Sequence, residues 1–159
     1  MNGVSKTEDF QYPLVKRENI EANPYDEILI CSAKPSSKTK DDDLPFGERF
    51  LKKYDAWGFQ WVQKKVPFFA LYMSYPESRI KYFAKIKGIY EPDFMDPPIK
   101  RHYEYSNYKD GKRVIKLKNI RKLKDHIIYK KLPIQGKMHV CMDTFKEAKT
   151  TLDLFNSQK

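Results

Sequence analysis

Apolar residues occur along this chain mostly in short runs, and the spacing within these runs predicts several strands. Residues 27–33 form the first such run. Residues 67–74 are aromatic and aliphatic without a break, which is typical of a strand covered on both faces. Residues 79–89 alternate instead, and a period of two predicts a strand with one buried face and one row of cations. The buried positions expected there are Ile80, Tyr82, Ala84 and Ile86. Further strands are predicted at residues 112–118 and 137–143.

Helical spacing of apolar residues is clearest at two places. The first stripe consists of Phe46, Phe50, Leu51 and Tyr54. We expect Asp43 to be the N-cap of this helix and Gly58 to lie just beyond its end. At the C-terminus, Thr144 and Glu147 have the spacing of a capping box and predict one closing helix. Its apolar face consists of Phe145, Ala148, Leu152 and Phe155. Residues 119–125 predict a third, short helix.

The order of these elements predicts an α+β fold. Short strands outnumber helices, and strands do not alternate regularly with helices as they do in a doubly wound sheet. We therefore expect a small, mostly antiparallel β-barrel with helices packed outside it. The single domain is predicted to cover residues 25–159, with residues 1–24 as a loosely attached arm. Residues 34–43 and 90–110 are rich in loop-forming residues and predict the two long loops.

Charge is distributed unevenly along the 159 residues, which carry a formal net charge of +10. Residues 1–45 hold 6 Lys and Arg against 9 Asp and Glu, whereas residues 46–159 hold 25 against 12. The densest region, residues 100–131, holds 12 basic and 3 acidic residues. A positive surface of this density raises the local concentration of polyanions. The distribution therefore favours nucleic acid as the partner.

Composition excludes several classes of protein. The 11 Tyr, 10 Phe and 2 Trp are too many for an intrinsically disordered chain. No apolar run approaches the roughly 20 residues that span a bilayer, and the polar N-terminus lacks a signal sequence, so we expect a cytoplasmic protein without membrane contact. Cys31 and Cys141 lie in separate apolar runs and predict reduced thiols. Because the three histidines lack ligand spacing, no metal and no cofactor are expected.

Residues 67–88, with the sequence PFFALYMSYPESRIKYFAKIKG, resemble the central hairpin of PUA-like domains. This superfamily includes the EVE, ASCH and YTH domains, and the order of predicted elements is similar over residues 27–155. The resemblance implies binding rather than catalysis, because such domains commonly bind RNA or DNA. Several hold one base, often methylated, in an aromatic pocket. Some are specificity modules of modification-dependent restriction enzymes, which implies further domains or subunits of a restriction complex as partners.

A pocket that holds an extruded base needs flat aromatic faces and a few hydrogen-bonding groups at the base edge. The aromatic residues near the predicted hairpin supply the first, and serines at predicted strand ends supply the second. We expect the pocket to be formed by Trp57, Phe59, Trp61, Tyr72, Tyr75, Ser32 and Ser74. For each tryptophan the alternative is a place in the core, and for each serine it is an ordinary turn.

Basic residues that follow the predicted hairpin are candidates for contact with phosphate groups. Such contacts release condensed counterions, so affinity is expected to fall steeply with salt. They position the ligand and carry little sequence information. The candidates are Arg79, Lys81, Lys85, Lys87, Lys112, Arg113, Lys116, Lys118 and Arg121, with Lys122 and Lys124 beyond them.

Two other functions stay open at this point. Glu91, Asp93 and Asp96 follow the basic strand, and two carboxylates with a lysine can hold Mg²⁺ in a nuclease. A basic face can also bind an acidic protein, as an adaptor would. The chain has no phosphate-binding loop, no nucleophile elbow and no HExxH motif. We therefore expect a binding module that is not itself an enzyme.

Overall fold

The computed structural model describes residues 12–33, 46–60, 62, 64–91 and 113–158. Within these ranges the chain forms seven strands, one 3-10 turn and three short α-helices. In chain order they are β1 Leu14–Val15, the 3-10 turn Arg17–Asn19, β2 Glu27–Ala33, α1 Phe46–Tyr54, β3 Ala56–Gln60, β4 Phe68–Met73, β5 Arg79–Tyr90, β6 Arg113–Ile128, β7 Lys137–Cys141, α2 Met142–Glu147 and α3 Thr151–Asn156.

All seven strands belong to one open sheet, so the prediction of an α+β fold is confirmed and the prediction of a closed barrel is wrong. The strand order is β1-β6-β5-β4-β2-β7, and β3 also pairs with β6. Four of the pairings are antiparallel, whereas β2 with β4 and β1 with β6 are parallel. β7 pairs with β2 and forms one edge of the sheet, whereas β1 and β3 pair with β6 and form the other edge. Closure would require these two edges to pair.

The sheet carries a separate core on each face. The first core lies under α1 and β3 and includes Leu51, Trp57 and Leu71. The second core lies under α2 and α3 and includes Phe145 and Leu154. Successive residues of β4 point alternately into the two cores, and all six are buried. The prediction of a strand covered on both faces is therefore confirmed for β4.

The apolar residues of β5 point into both cores, and one of them departs from the predicted alternation. Tyr82, Ala84 and Ile86 point into the first core, as their alternation predicts. Ile80 points into the second core instead, and the pairing register shifts between Ile80 and Tyr82. Phe83 interrupts the row of cations because it too belongs to the second core, where its ring stacks on Phe68 at 5.3 Å and on Phe145 at 5.7 Å between centroids.

The prediction of a helix over residues 119–125 is wrong, because β6 continues through them as a strand of 16 residues. Ile120, Leu123 and Ile127 have helical spacing, yet they are buried from an extended backbone. The pairing register with β5 shifts on both sides of this stretch, and Asn119 has a φ of 53°. Ile120 points into the first core, whereas Leu123 and Ile127 point into the second, so apolar residues buried on opposite faces of one strand have a spacing that looks helical in the sequence.

The end of α1 differs from its prediction. The helix ends at Tyr54, and Asp55 follows with a φ of 48°. Gly58 lies inside β3 rather than beyond a helix, and a Cβ placed there would come within 3.1 Å of Val114 Cγ2. This glycine is therefore explained by the close approach of β6. The expected N-cap, Asp43, lies outside the described residues.

The C-terminal segment forms two short helices in place of the single helix predicted. Between them Ala148 and Thr150 have extended backbone. The capping box is formed by Thr150 and Asp153 at the start of α3, whereas α2 begins at Met142, before Thr144, without a side-chain cap. The break between the helices lets residues from both pack into the second core.

The described part of the N-terminal arm contacts the sheet. β1 pairs with β6 at Lys122 and Leu123, and Ile20 is buried in the second core. Cys31 and Cys141 are free thiols, Cys31 buried and Cys141 partly so. Among the described helices, none has the length and apolar character that a membrane crossing requires.

Candidate functional site

A cleft with a volume of about 610 Å³ opens at one end of the sheet. The parallel strands β2 and β4 both end there, β5 begins there after a tight turn, β6 ends there, and β7 begins there. We call it the tyrosine cleft. It is lined by Ser32, Tyr72, Ser74, Tyr75, Ser78, Tyr129, Pro133, Ile134, Gln135 and Gly136.

Backbone hydrogen bonds join the separate segments that form the walls of the tyrosine cleft. The N–H of Ser32 donates to the carbonyl oxygen of Gly136 at 2.9 Å, which ties β2 to the segment before β7. The N–H of Tyr129 donates to the carbonyl oxygen of Ser78 at 3.0 Å, which ties the end of β6 to the turn before β5. The N–H of Ser74 donates to the carbonyl oxygen of Ala33 at 3.2 Å. The positions of the lining residues are therefore held by the sheet itself.

Three tyrosines give the cleft its aromatic character, and they differ in exposure. Tyr72 is buried, with 2% of its surface exposed, whereas Tyr129 and Tyr75 are exposed at 40% and 77%. Burial raises the pKa of the Tyr72 phenol, the nearby Tyr129 adds to this, and a hydrogen bond with Ser78 opposes it. Tyr72 is thus a neutral phenol at physiological pH. A ligand in the cleft would meet one buried ring and two exposed ones.

Four of the seven residues predicted for a base pocket line this cleft, namely Ser32, Tyr72, Ser74 and Tyr75. Trp57 does not, because β3 pairs with β6 and places the indole in the first core, 2% exposed. Phe59 lies in β3, but its side chain is outside the described part of the structure, as is the whole of Trp61. Among the described residues, the aromatic rings that line the cleft are all tyrosines.

Sequence reasoning missed Ser78, Tyr129 and residues 133–136 as lining residues. Ser78 could have been predicted, because it is the last residue of the predicted turn that contains Tyr75. Tyr129 was not predicted because a helix over residues 119–125 would end the strand before it reaches this end of the sheet. Only the length of β6 places Tyr129 beside Ser78.

Lysines adjoin the tyrosine cleft in the chain. Lys130 and Lys131 follow Tyr129, and Lys137 follows Gly136. The described residues that line the cleft include no carboxylate. Glu77, in the turn before β5, is paired with Lys81. The chemical surroundings of the cleft therefore favour an anionic or neutral ligand.

The predicted phosphate contacts differ in how far their charges are already compensated. Lys81 is enclosed by two carboxylates, with its Nζ 2.5 Å from Glu77 and 3.9 Å from Glu48, and only 13% of its side chain is exposed. Arg79 Nε donates to the carbonyl oxygen of Glu77 at 3.0 Å. Arg113 and Arg121 are partly buried in β6, and Lys112 lies outside the described residues. Lys81 is thus poorly placed for a phosphate.

Three other predicted phosphate contacts meet at a second, smaller cleft of about 340 Å³ beside β6, which we call the lysine cleft. Lys87, Lys116 and Lys118 all line it. Lys85 lies close by, since it pairs with Lys118 across the two strands. The remaining lining residues are Tyr12, Asp55, Leu117, Asn119 and Ile120.

The acidic cluster considered for a nuclease lies almost entirely outside the described residues. Glu91 is exposed at the end of β5, and Asp93 and Asp96 fall in the range that is not described. Within the described ranges, no three His, Cys, Asp or Glu side chains are grouped so that they could hold a metal ion. The described residues therefore contribute no metal centre to either cleft.

Comparisons of the chain with models of known protein families, with curated proteins and with solved structures find no significant match in any of the three. The resemblance of residues 67–88 to PUA-like domains thus stays a prediction from the residue pattern.

Proposed function

We propose that this protein is a nucleic-acid-binding module that holds one base in the tyrosine cleft while nearby lysines contact the phosphate chain. One observation carries the proposal. Ser32, Tyr72, Ser74 and Tyr75, which were chosen from the sequence as base contacts, come from two strands and a turn, and they line one cleft together with Tyr129.

The size and chemistry of the cleft suit a planar heterocycle. Pockets for small ligands have volumes of roughly 300–1,000 Å³, and the tyrosine cleft, at about 610 Å³, lies within this range. Tyr75 and Tyr129 offer exposed rings on which a base can stack. The hydroxyl groups of Ser32 and Ser74 and the amide of Gln135 offer hydrogen bonds to the base edge. A methyl group on the base would add apolar contact with Ile134 and Pro133.

Charge argues against the main alternative ligand for three tyrosines, which is a methylated ammonium group. Aromatic cages bind such cations through the negative faces of their rings. Here Lys130 and Lys131 adjoin the lining residues, and among the described residues no carboxylate lines the cleft. These lysines repel a cation and attract a phosphate. A nucleotide matches the cleft in both respects, because its base can stack on the tyrosine rings and the lysines attract its phosphate.

The test is a binding assay with labelled oligonucleotides that contain either a plain or a methylated base. Tyr75→Ala and Tyr129→Ala are each expected to weaken binding by about 1–3 kcal/mol, the usual value of one base stacked on an aromatic ring. Tyr25→Ala is the matched control, because Tyr25 is 88% exposed and lines neither cleft. The proposal is wrong if all three variants bind alike.

The same assay separates the rival functions. Retarded and intact oligonucleotides, with or without Mg²⁺, support a binding module. Shortened products that require Mg²⁺ would support a nuclease that uses Glu91 and its neighbours. No retardation at low salt would contradict nucleic-acid binding and favour an adaptor for an acidic protein.

A further inference from the structure

The lysine cleft occupies a gap along the outer edge of β6. β3 pairs with this edge from Arg113 to Lys116, and β1 pairs with it at Lys122 and Leu123. The cleft opens between the two pairings, where Leu117, Lys118, Asn119 and Ile120 line it. It is therefore a feature of the sheet rather than of a surface loop.

Two β-bulges face this gap and direct lysines into it. Ile86 pairs with Leu117 and Gly88 with Lys116, so Lys87 is the extra residue on β5. On β6 one extra residue follows Lys118, where Asn119 has left-handed backbone, a conformation that asparagine adopts more readily than most residues. Bulges are frequent beside functional sites because they change the direction of a side chain.

The positive charge around the gap is only partly compensated by the described residues. Lys87, Lys116 and Lys118 line the cleft with a single carboxylate, Asp55. Lys85 and Lys118 lie directly opposite each other on β5 and β6, and like charges in this position destabilise a sheet. Among the described residues, no carboxylate forms an ion pair with Lys85, Lys87 or Lys118. A bound anion would relieve this repulsion.

Other groups in the cleft fit an oxyanion. Lys116 Nζ donates to the carbonyl oxygen of Tyr54 at 3.2 Å, which fixes its ammonium group in place and leaves further N–H bonds for a ligand. Burial raises the pKa of the Tyr12 phenol, and the charges of Asp55 and Glu48 raise it further. Tyr12 is thus a neutral phenol at physiological pH. The amide of Asn119 supplies a hydrogen-bond donor.

We infer that the lysine cleft binds a phosphate group of the same nucleic-acid strand whose base occupies the tyrosine cleft, an inference that rests on the proposed function. Lys118 lies in β6, and Tyr129 follows the end of that strand, eleven positions further along the chain. At about 3.3 Å per residue, this separation is at most about 36 Å. That is roughly ten phosphates at the duplex spacing of about 3.4 Å along one strand. A strand of about ten nucleotides is therefore long enough to reach both clefts.

The test compares short and long oligonucleotides in the double variant K87Q/K118Q. The control is K65Q/K149Q, which removes the same charge from two exposed lysines that line neither cleft. For a strand of about 16 nucleotides we expect K87Q/K118Q to weaken binding about tenfold at low salt and the control to change it far less. For a strand of about 4 nucleotides both variants should bind like the wild type.

The salt dependence gives a second readout. Each phosphate contact contributes about 0.7 to the slope of log K against log salt for a single strand, so K87Q/K118Q, which removes the one contact inferred for the lysine cleft, should lower that slope by about 0.7. Equal slopes in K87Q/K118Q and the control would show that only overall charge matters, and would overturn the inference. An equal loss for short and long strands would overturn the spacing argument.

Inorganic phosphate separates this inference from the proposed function. If no oligonucleotide binds the wild type, the proposed function has failed. A titration with inorganic phosphate against chloride at equal ionic strength, followed by NMR, then tests the lysine cleft by itself. Saturable shifts that K87Q/K118Q loses and K65Q/K149Q keeps support an oxyanion site there. Shifts that are the same in all three proteins, or absent from the wild type, contradict it.

Discussion

Arg17 and Asp125 form an ion pair that joins the N-terminal segment to β6, with Arg17 Nε 3.3 Å from Asp125 Oδ2. The backbone N–H of Arg17 also donates to Asp125 Oδ1 at 2.9 Å. The guanidinium reaches further, and its Nη1 donates to the carbonyl oxygens of Phe145 and Ala148 at 2.5 Å each. These carbonyls lie at the end of α2, where the helix has no internal partners for them. One buried side chain thus connects the N-terminal segment, the sheet and the C-terminal helices.

Arg17→Met is expected to destabilise the protein by about 2–4 kcal/mol, because it leaves buried carbonyls and a partly buried carboxylate without their partner. Urea unfolding followed by circular dichroism measures this change. Lys16→Met is the control, since Lys16 is exposed beside it. Equal stabilities of the two variants would contradict the structural role of Arg17.

Stability is expected to fall as the pH drops below about 6.5. The pKa values of His126 and His139 are lowered, in both cases mainly by burial, and the neighbouring cations Arg79 and Lys81 lower that of His126 further. Below the unfolded-state pKa of 6.5 the unfolded chain therefore binds more protons than the folded chain. The stabilising contribution is complete above this pH and is lost as the pH falls through the lowered pKa values. Unfolding curves between about pH 5 and pH 8 should become less pH-dependent in His126→Asn.

Trp57→Phe tests whether the buried indole has any part in ligand binding. The smaller ring leaves a cavity in the first core, and we expect the free energy of unfolding to decrease by about 1–3 kcal/mol. Oligonucleotide affinity and preference for a modified base should stay within about twofold of the wild type, because Trp57 does not line the tyrosine cleft. A loss of base preference in a folded variant would place the binding site at β3 instead.

Gly136 lines the tyrosine cleft with a φ of 68°, in the left-handed region. A Cβ at this position would meet no atom within 4 Å, so any cost of substitution comes from the backbone. Gly136→Ala is expected to cost about 1–2 kcal/mol, and Gly136→Asn less, since asparagine tolerates this conformation. Thermal unfolding of the two variants measures the difference. If both cost the same, backbone strain is not the reason for this glycine.

Thr150→Ala removes the side-chain acceptor at the start of α3 and should lower stability by about 1 kcal/mol. Glu147→Ala, at the position that the sequence pattern identifies with a capping box, is expected to have little effect, because α2 has already begun at Met142. Chemical denaturation of the two variants distinguishes the positions. The reverse ranking would support the predicted single helix.

Much of the fold could be predicted from the local pattern of apolar and polar residues. The bounds of β2 agree with the predicted strand, and β4 and β5 agree within a residue or two. In these strands the apolar residues are buried as the pattern predicts, except that Ile80 points into the second core. The main error lies in β6, where Ile120 and Leu123 are buried in opposite cores and therefore have a spacing that looks helical.

The candidate site was predictable only in part, for a related reason. Ser32, Tyr72 and Ser74 lie at or just beyond strand ends that the sequence reveals, and Tyr75 lies in a recognisable turn. That these ends meet depends on the parallel pairing of β2 with β4, which no local pattern encodes. Trp57 was predicted for the pocket but lies in the first core, because an aromatic side chain is equally suited to either place.

The amino-acid sequence by itself determined that β2, β4 and β5 are extended, which positions in β4 and β5 are apolar, and that the positive charge belongs to residues 46–159. These properties are local, since they follow from the chemistry of neighbouring side chains. The tertiary structure decided that the sheet stays open, that Tyr129 joins Tyr72 in one cleft, and that three lysines face a gap beside β6. Those properties depend on strand pairing between distant parts of the chain, and pairing is selected by the packing of the two cores as a whole.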